Sequence, residues 1–249
     1  MPFAVAAFYA FVPLPDAPAL REGLHDLCSG LGVTGTLLLA PEGINGTVAG
    51  EGEAVDALID QLRFGPLLGG RLGGLDVKLS TATTAPFGRL KVKLKREIVA
   101  FGDPSAAPSE RTGAYVSPAD WNTLIGRADV LTIDVRNAFE VAMGAFEGAV
   151  DPRTSRFSDF RAFAAGTLAG AKDRTIALYC TGGIRCEKAS AHLLANGFSD
   201  VRQLKGGVLR YLEEIEPAAS RWRGSCFVFD ERIALGHGLV EAGPEQAYG

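Results

Sequence analysis

The sequence predicts two units in tandem, an α+β unit built on a mixed sheet and an α/β unit built on a mostly parallel one. Three observations predict it. The first hundred residues run strand–helix–strand–strand–helix–strand. Gly102 to Pro118 is poor in large apolar residues and carries Pro104, Pro108 and Pro118. Beyond it, short apolar strands alternate with helical patterns, which implies parallel pairing. At 249 residues there is room for two domains of ordinary size. The expected boundaries are 1–101 for the first domain, 102–118 for a linker, 119–222 for the second domain and 223–249 for a loosely structured extension.

In the first unit, Phe3 to Val12 is apolar enough for a strand, and Pro13-Leu14-Pro15-Asp16 breaks it and offers a helix cap. Leucines at 20, 24, 27 and 31 have helical spacing. Val33 to Ala40 reads as a second strand, residues 41–46 as a turn, and Thr47 to Gly50 as the returning strand. Asn45-Gly46 is a hairpin signal. Glu42 and Asn45 accordingly read as turn residues, with a role facing the second unit's cleft left open. Val55, Leu58, Ile59 and Leu62 mark one face of a second helix. Leu75 to Leu79 is a fourth strand and Lys91 to Phe101 a further extended segment. The order βαββαβ is the ferredoxin-like (acylphosphatase-like) arrangement.

In the second unit, the expected helices are 119–125, 158–165, about 186–196 and 208–215, and the strands are 130–135, 175–179 and 201–204. Ligand crevices in such sheets open at the carboxyl ends of strands. Cys180 stands there, directly after the strand Thr175 to Tyr179, and Thr181, Gly182, Gly183 and Ile184 separate it from Arg185 at the entry to a helix. Backbone N–H groups and the positive end of a helix dipole favour a thiolate over a thiol. Cysteine phosphatases set five residues between cysteine and arginine to cradle a phosphate; four residues make a smaller ring, which argues against that chemistry.

Composition excludes several classes. The net charge of −4 gives no global reason to bind nucleic acid, so any such function rests on a local patch. Cys28, Cys180, Cys186 and Cys226 form no C-x-x-C pair and the three histidines are scattered, so no metal site is expected. No flavin or nicotinamide fingerprint is visible. No apolar run approaches a membrane span, and a cytoplasmic, reducing setting is expected.

Asp134-Val135-Arg136 with Glu140, Gly144, Phe146, Gly148 and Ala149 resembles the front half of a rhodanese domain. The six residues from Cys180 to Arg185 resemble the rhodanese active-site loop, and Leu204-Lys205-Gly206-Gly207 resembles the glycine pair that closes such domains. Residues 39–50, Pro86-Phe87, Lys91-Val92-Lys93, Glu97-Ile98, Asp134 to Asn137, Cys180 to Lys188 and Cys226 to Asp230 are similar to one rhodanese subgroup, the oxygen-dependent tRNA uridine(34) hydroxylases. Longer members continue into a cysteine-rich tail that looks metal-binding; this sequence reaches Gly249 without such a pair, and no metal site is carried over.

The resemblance implies oxidation of a wobble uridine to 5-hydroxyuridine with molecular oxygen as co-substrate, no metal or flavin, and the tRNA anticodon loop as partner. Cys180 is the implied nucleophile, either adding to C6 of uracil or carrying oxygen on its sulfur. The alternative is a sulfurtransferase holding a Cys180 persulfide; a binding module without catalysis is a third, disfavoured by the intact cysteine. The reading expects Cys180 to face a cleft and to react with alkylating reagents at neutral pH. Two roles stand open for Arg185, substrate or thiolate stabilisation and a helix-entry ion pair. Two are open for Cys186, resolving an oxidised Cys180 and packing. Asp134 and Arg136 support the pocket or pair with each other. Arg89, Lys91, Lys93 and Lys95 alternate with apolar residues, and Arg96 extends them; they meet tRNA phosphates or guard an edge strand. Tyr9, Phe11 and Trp121 are candidates for base stacking or for core packing.

Overall fold

The structure, a computed structural model, describes residues 2–243 and divides into two compact units. The first comprises residues 2–100 with Phe229–Arg232. Its strands are β1 (Phe3–Phe11), β2 (Thr34–Ala40), β3 (Gly43–Gly50), β4 (Asp76–Ala82) and β5 (Leu90–Leu94), and its helices are α1 (Ala17–Gly30) and α2 (Gly52–Phe64). The sheet order is β4-β1-β3-β2-β5. Each neighbouring pair among the first four strands is antiparallel, in the ferredoxin-like order, and β5 adds a parallel edge beside β2. One sheet face is apolar because alternate strand residues point the same way. Phe8, Leu37, Leu39, Ile44 and Val48 from that face bury against Leu20, Leu24 and Cys28 of α1 and Val55, Leu58, Ile59 and Leu62 of α2. At roughly 1.5–3 kcal/mol for each large apolar side chain, this layer dominates the unit's stability.

The β2–β3 hairpin differs from its expected form. Its turn is only Pro41-Glu42, and β3 starts at Gly43, so Asn45-Gly46 lies inside the strand. Gly43 takes φ 148°, and a Cβ there would sit 2.0 Å from the Ala10 carbonyl oxygen. Gly46 is needed for space, since a Cβ would approach the Phe8 ring to 2.8 Å. Glu42 and Asn45 are fastened within their own unit: Glu42 Oε1 accepts the Ile98 N–H at 2.7 Å and Asn45 Nδ2 donates to the Ile98 carbonyl at 3.0 Å. Residues 229–232 belong here through Arg232, which forks onto Asp230 and donates to Ser80 Oγ at 2.8 Å.

The second unit comprises Phe101–Val228 and residues 233–243. Its strands β6 (Ala114–Val116), β7 (Val130–Asp134), β9 (Thr175–Tyr179) and β10 (Asp200–Leu204) form a wholly parallel sheet in the order β6-β10-β9-β7. Helices α3 (Pro118–Ile125), α4 (Ala138–Val141), α5 (Phe160–Gly166), α6 (Ile184–Ala195) and α7 (Gly207–Glu214) connect and cover it, with the short strand β8 (Gly144–Phe146) between α4 and α5. The stretch expected to be a linker contains β6. Its ladder to β10 and the packing of Val116 on the core are joined by polar contacts: Gln203 Nε2 donates to Thr112 Oγ1 and to the Gly113 carbonyl, while Glu187 accepts Thr112 and Tyr115 hydroxyls at 2.7 and 2.8 Å.

The tail also carries more structure than expected. Strand β11 (Trp222–Gly224) pairs antiparallel with β8, and β12 (Cys226–Phe227) pairs with β13 (Ala234–Leu235). Trp222 joins Tyr179 and Tyr211 around Phe146, with ring centroids 4.7–5.1 Å from its own. Residues 244–249 of the expected extension lie outside the described residues.

Gly43→Ala forces a Cβ onto a carbonyl at a left-handed position, and should cost about 1–3 kcal/mol. Urea unfolding followed by far-ultraviolet circular dichroism should show the first unit's transition at lower denaturant, with the second unit's unchanged.

Candidate active site

Parallel pairing of β7 with β9 sets Asp134 opposite Tyr179, so the carboxyl ends of both strands meet where Cys180 begins its loop. The loop is turned inside out relative to an ordinary strand–helix connection. Its carbonyls at Cys180 and Thr181 point away and accept N–H groups of Val208 and Leu209 from the first turn of α7, at 2.9 and 3.0 Å. Its own N–H groups are thereby free to face the sulfur, and Gly183 N–H reaches Sγ at 3.2 Å. Gly207 makes this closure possible. It has φ 68°, and a Cβ would stand 2.5 and 2.6 Å from those two carbonyl oxygens.

Burial opposes ionisation of Cys180, yet the thiol is held down at about 6 from an ordinary 9.0. The Cys186 thiol donating to its sulfur, the Arg185 charge, and the backbone N–H groups of Cys186 and Arg185 outweigh the lost hydration. Burial pushes the other three thiols the opposite way, Cys28 to about 11, Cys226 to about 12 and Cys186 well up. Of the four thiols, only that of Cys180 is shifted toward the thiolate.

Arg185 is bound at both tips to Glu140, Nη1 to Oε2 at 2.6 Å and Nη2 to Oε1 at 2.7 Å, and Nη2 also reaches Thr181 Oγ1 at 3.2 Å. Glu140 is wholly buried and is aimed by its own helix start, accepting the Asn137 N–H at 3.0 Å. Burial works against its charge, but Arg185 holds its carboxyl below the usual range. The geometry therefore gives Arg185 a fixed position beside the sulfur. Asp134 and Arg136 pair with each other instead, Nε to Oδ1 at 2.9 Å, and Arg136 runs on to the Gly144 carbonyl at 2.6 Å beneath the Trp222 ring. Neither is linked to Cys180 by a described bond.

Sequence reasoning left Glu140 and Cys226 out of the site. The pattern Asn137-x-x-Glu140 was a usable sign, because a capping glutamate must lie at a helix start. Cys226 is far away in sequence, yet its thiol bonds Thr181 in the active loop. Its place depends on β12, a strand of two residues with no periodicity to read, although Cys226 to Asp230 is among the segments that carry the resemblance.

One expectation is corrected. Cys180 is completely buried rather than open to a cleft, because the loop folds tightly about its own sulfur and α7 closes on the loop's outer carbonyls. Gly182 and Ile184 form the loop's partly exposed rim. Trp121 is core, fully buried, while Tyr9 and Phe11 are half-buried with Lys78 set over the Tyr9 ring. Arg89, Lys93, Lys95 and Arg96 are exposed and Lys91 partly so, on edge strand β5 and its two flanks in the first unit. No group of three or more potential metal ligands occurs among the described residues.

Fold and loop together define the second unit as a rhodanese-type domain following an acylphosphatase-like one. Family models agree, matching a UPF0176 acylphosphatase-like domain over residues 3–98 and a rhodanese-like domain over 117–214. A tRNA uridine(34) hydroxylase of Bradyrhizobium diazoefficiens is 61% identical over 95% of this chain and 93% of its own length. That of Nitrobacter winogradskyi is 58% identical over 96% and 93%, and that of Mesorhizobium japonicum 51% identical over 98% and 78%. The chain belongs to the tRNA uridine(34) hydroxylase family.

Two outcomes test the site. A 240-nm absorbance titration should show one thiolate forming with a midpoint near pH 6, lost in Cys180→Ala; no thiolate below pH 8 contradicts the geometry. Glu140→Gln strands Arg185 as an uncompensated buried charge and should destabilise the second unit by about 3–5 kcal/mol in urea unfolding.

Proposed function

We propose that this protein hydroxylates C5 of the wobble uridine of tRNA, using molecular oxygen, with Cys180 as the nucleophile. The observation that carries the reading is a sulfur that accepts the Gly183 N–H at 3.2 Å beside Arg185, in surroundings that pull its thiol toward the thiolate, within a chain that belongs to this hydroxylase family. Uracil is a poor partner for oxygen until a nucleophile adds at C6 and leaves C5 as an electron-rich enolate. A thiolate is the side chain suited to that addition, and its later departure restores the ring. Arg185, fixed by Glu140, offers its charge to the sulfur before and after the addition.

Since the resting sulfur is buried, the base must displace the loop rim at Gly182 and Ile184, so docking of the tRNA precedes the chemistry. The basic row on and beside β5 would supply sequence-independent attraction for phosphate, and β5 is the edge strand of its sheet. A persulfide would sit in the same loop, so sulfur transfer is the competing activity to be assayed alongside.

Cys180→Ala should abolish 5-hydroxyuridine measured by nucleoside mass spectrometry after incubation with unmodified tRNA in air. Full hydroxylation by that variant would remove the nucleophile from the account, and thiosulfate turnover without RNA modification would favour sulfur transfer. Activity should fall as pH drops through about 6, because the lowered thiol regains its proton there. Replacing Lys91, Lys93 and Lys95 by Gln should weaken tRNA binding and reduce the slope of log affinity against log salt by roughly 2–3; an unchanged slope assigns these lysines to edge protection.

A further inference from the structure

Hydroxylation by dioxygen has an electron balance that the uridine cannot close alone. One oxygen atom enters the C5–H bond and the other leaves as water, which requires two electrons and two protons. The described residues around Cys180 hold a group able to supply them. Cys186 stands in the first turn of α6, its N–H bonded to the Gly183 carbonyl at 3.0 Å and its thiol donating to the Cys180 sulfur. Both cysteines are fully buried and unbridged. The chain therefore places a complete dithiol, two electrons' worth, at the reacting sulfur.

We infer that Cys180 and Cys186 are the immediate two-electron reductant of the reaction and finish each turnover as a disulfide. This rests on the hydroxylase reading. The steps balance as follows. The Cys180 thiolate forms a bond to C6, and the C5 enolate adds to dioxygen, giving after protonation a C5 hydroperoxide. The Cys186 thiol breaks the O–O bond, leaving hydroxyl on C5 and a sulfenic acid on Cys186. Loss of the C5 proton expels Cys180 from C6 and yields 5-hydroxyuridine. Cys180 then attacks the Cys186 sulfenic acid, releasing water and closing the S–S bond. In sum, uridine, dioxygen and two thiols become 5-hydroxyuridine, water and one disulfide. An external dithiol, protein-borne or small, reopens the bridge by thiol–disulfide exchange.

The opposite displacement of the two thiols suits their separate tasks. Cys180 is the anion that attacks, first carbon and later sulfur, while Cys186 stays protonated until the hydroperoxide arrives. Cys226 lies near but is bonded to Thr181, so it serves as a competitor in the test.

Reduced full-length protein, freed of added thiol, is mixed anaerobically with unmodified tRNA and then opened to air. Expected are up to one 5-hydroxyuridine per chain, a fall in thiols titrated under denaturing conditions from four to two, and a peptide joining Cys180 to Cys186. Cys186→Ser, which keeps a hydroxyl donor beside the Cys180 sulfur but cannot supply electrons, should lose the thiol-free turnover and regain product when excess dithiothreitol is added, whereas Cys28→Ala behaves as the parent. Product formed with all four thiols intact, or a bridge to Cys226, overturns the inference while leaving the hydroxylase reading in place. Absence of 5-hydroxyuridine even with excess dithiothreitol and air overturns both. The thiol count and peptide map on the parent protein decide the matter even where Cys186→Ser fails to fold.

Discussion

A sulfur anion removed from water must find its compensation in the protein, and the second unit is organised around that requirement at Cys180. Lowering a buried thiol from 9.0 to about 6 means favouring the anion by on the order of 4 kcal/mol, after its desolvation has already been overcome. No single donor achieves this. It takes a backbone whose N–H groups converge, and convergence requires the carbonyls between them to find partners elsewhere. Val208 and Leu209 provide those partners from α7, and Gly207 lets α7 come close enough. The glycine pair after β10 and the cysteine loop after β9 are thus halves of one device, brought together by parallel pairing of neighbouring strands.

A second layer keeps the charges in place. Arg185 contributes to the sulfur only because Glu140 holds its guanidinium at both tips, and Glu140 is aimed by the start of α4. Asp134 and Arg136, at the end of β7, fix the path from that strand to β8 by binding the Gly144 carbonyl. Two buried ion pairs of this kind add little net stability over apolar packing, but each is costly to break, which makes the arrangement rigid. The resting sulfur is buried because the loop folds about it and α7 closes on the loop's outer carbonyls.

Local patterns made β9, the loop and α6 legible, because an apolar run, paired glycines and a helical repeat follow one another without interruption. The ferredoxin-like order was legible for the same reason: Leu20, Leu24, Leu58 and Leu62 keep helical spacing, and the apolar strands around them are long. What escaped depends on contacts distant in sequence. β6 is only three residues long, Ala114–Val116, too short for a periodicity, and is fixed by β10 and by side chains of Gln203 and Glu187 distant in sequence. Asn45-Gly46 has the chemistry of a turn, but Phe8 packing over Gly46 and the bond from Asn45 to Ile98 draw it into β3. Glu140 and Cys226 reach the site through α4 and β12, elements too short to be read from spacing.

The account comes down to whether the Cys180 sulfur itself bonds to the uracil ring. Transfer RNA carrying 5-fluorouridine at the wobble position tests this directly, since fluorine at C5 blocks the proton loss that would release the enzyme. Incubation in air should give a complex that survives denaturation, with nucleotide mass on the peptide containing Cys180 and none in Cys180→Ala. A denaturation-stable adduct on any other residue, or no adduct where the natural tRNA is hydroxylated, would contradict it.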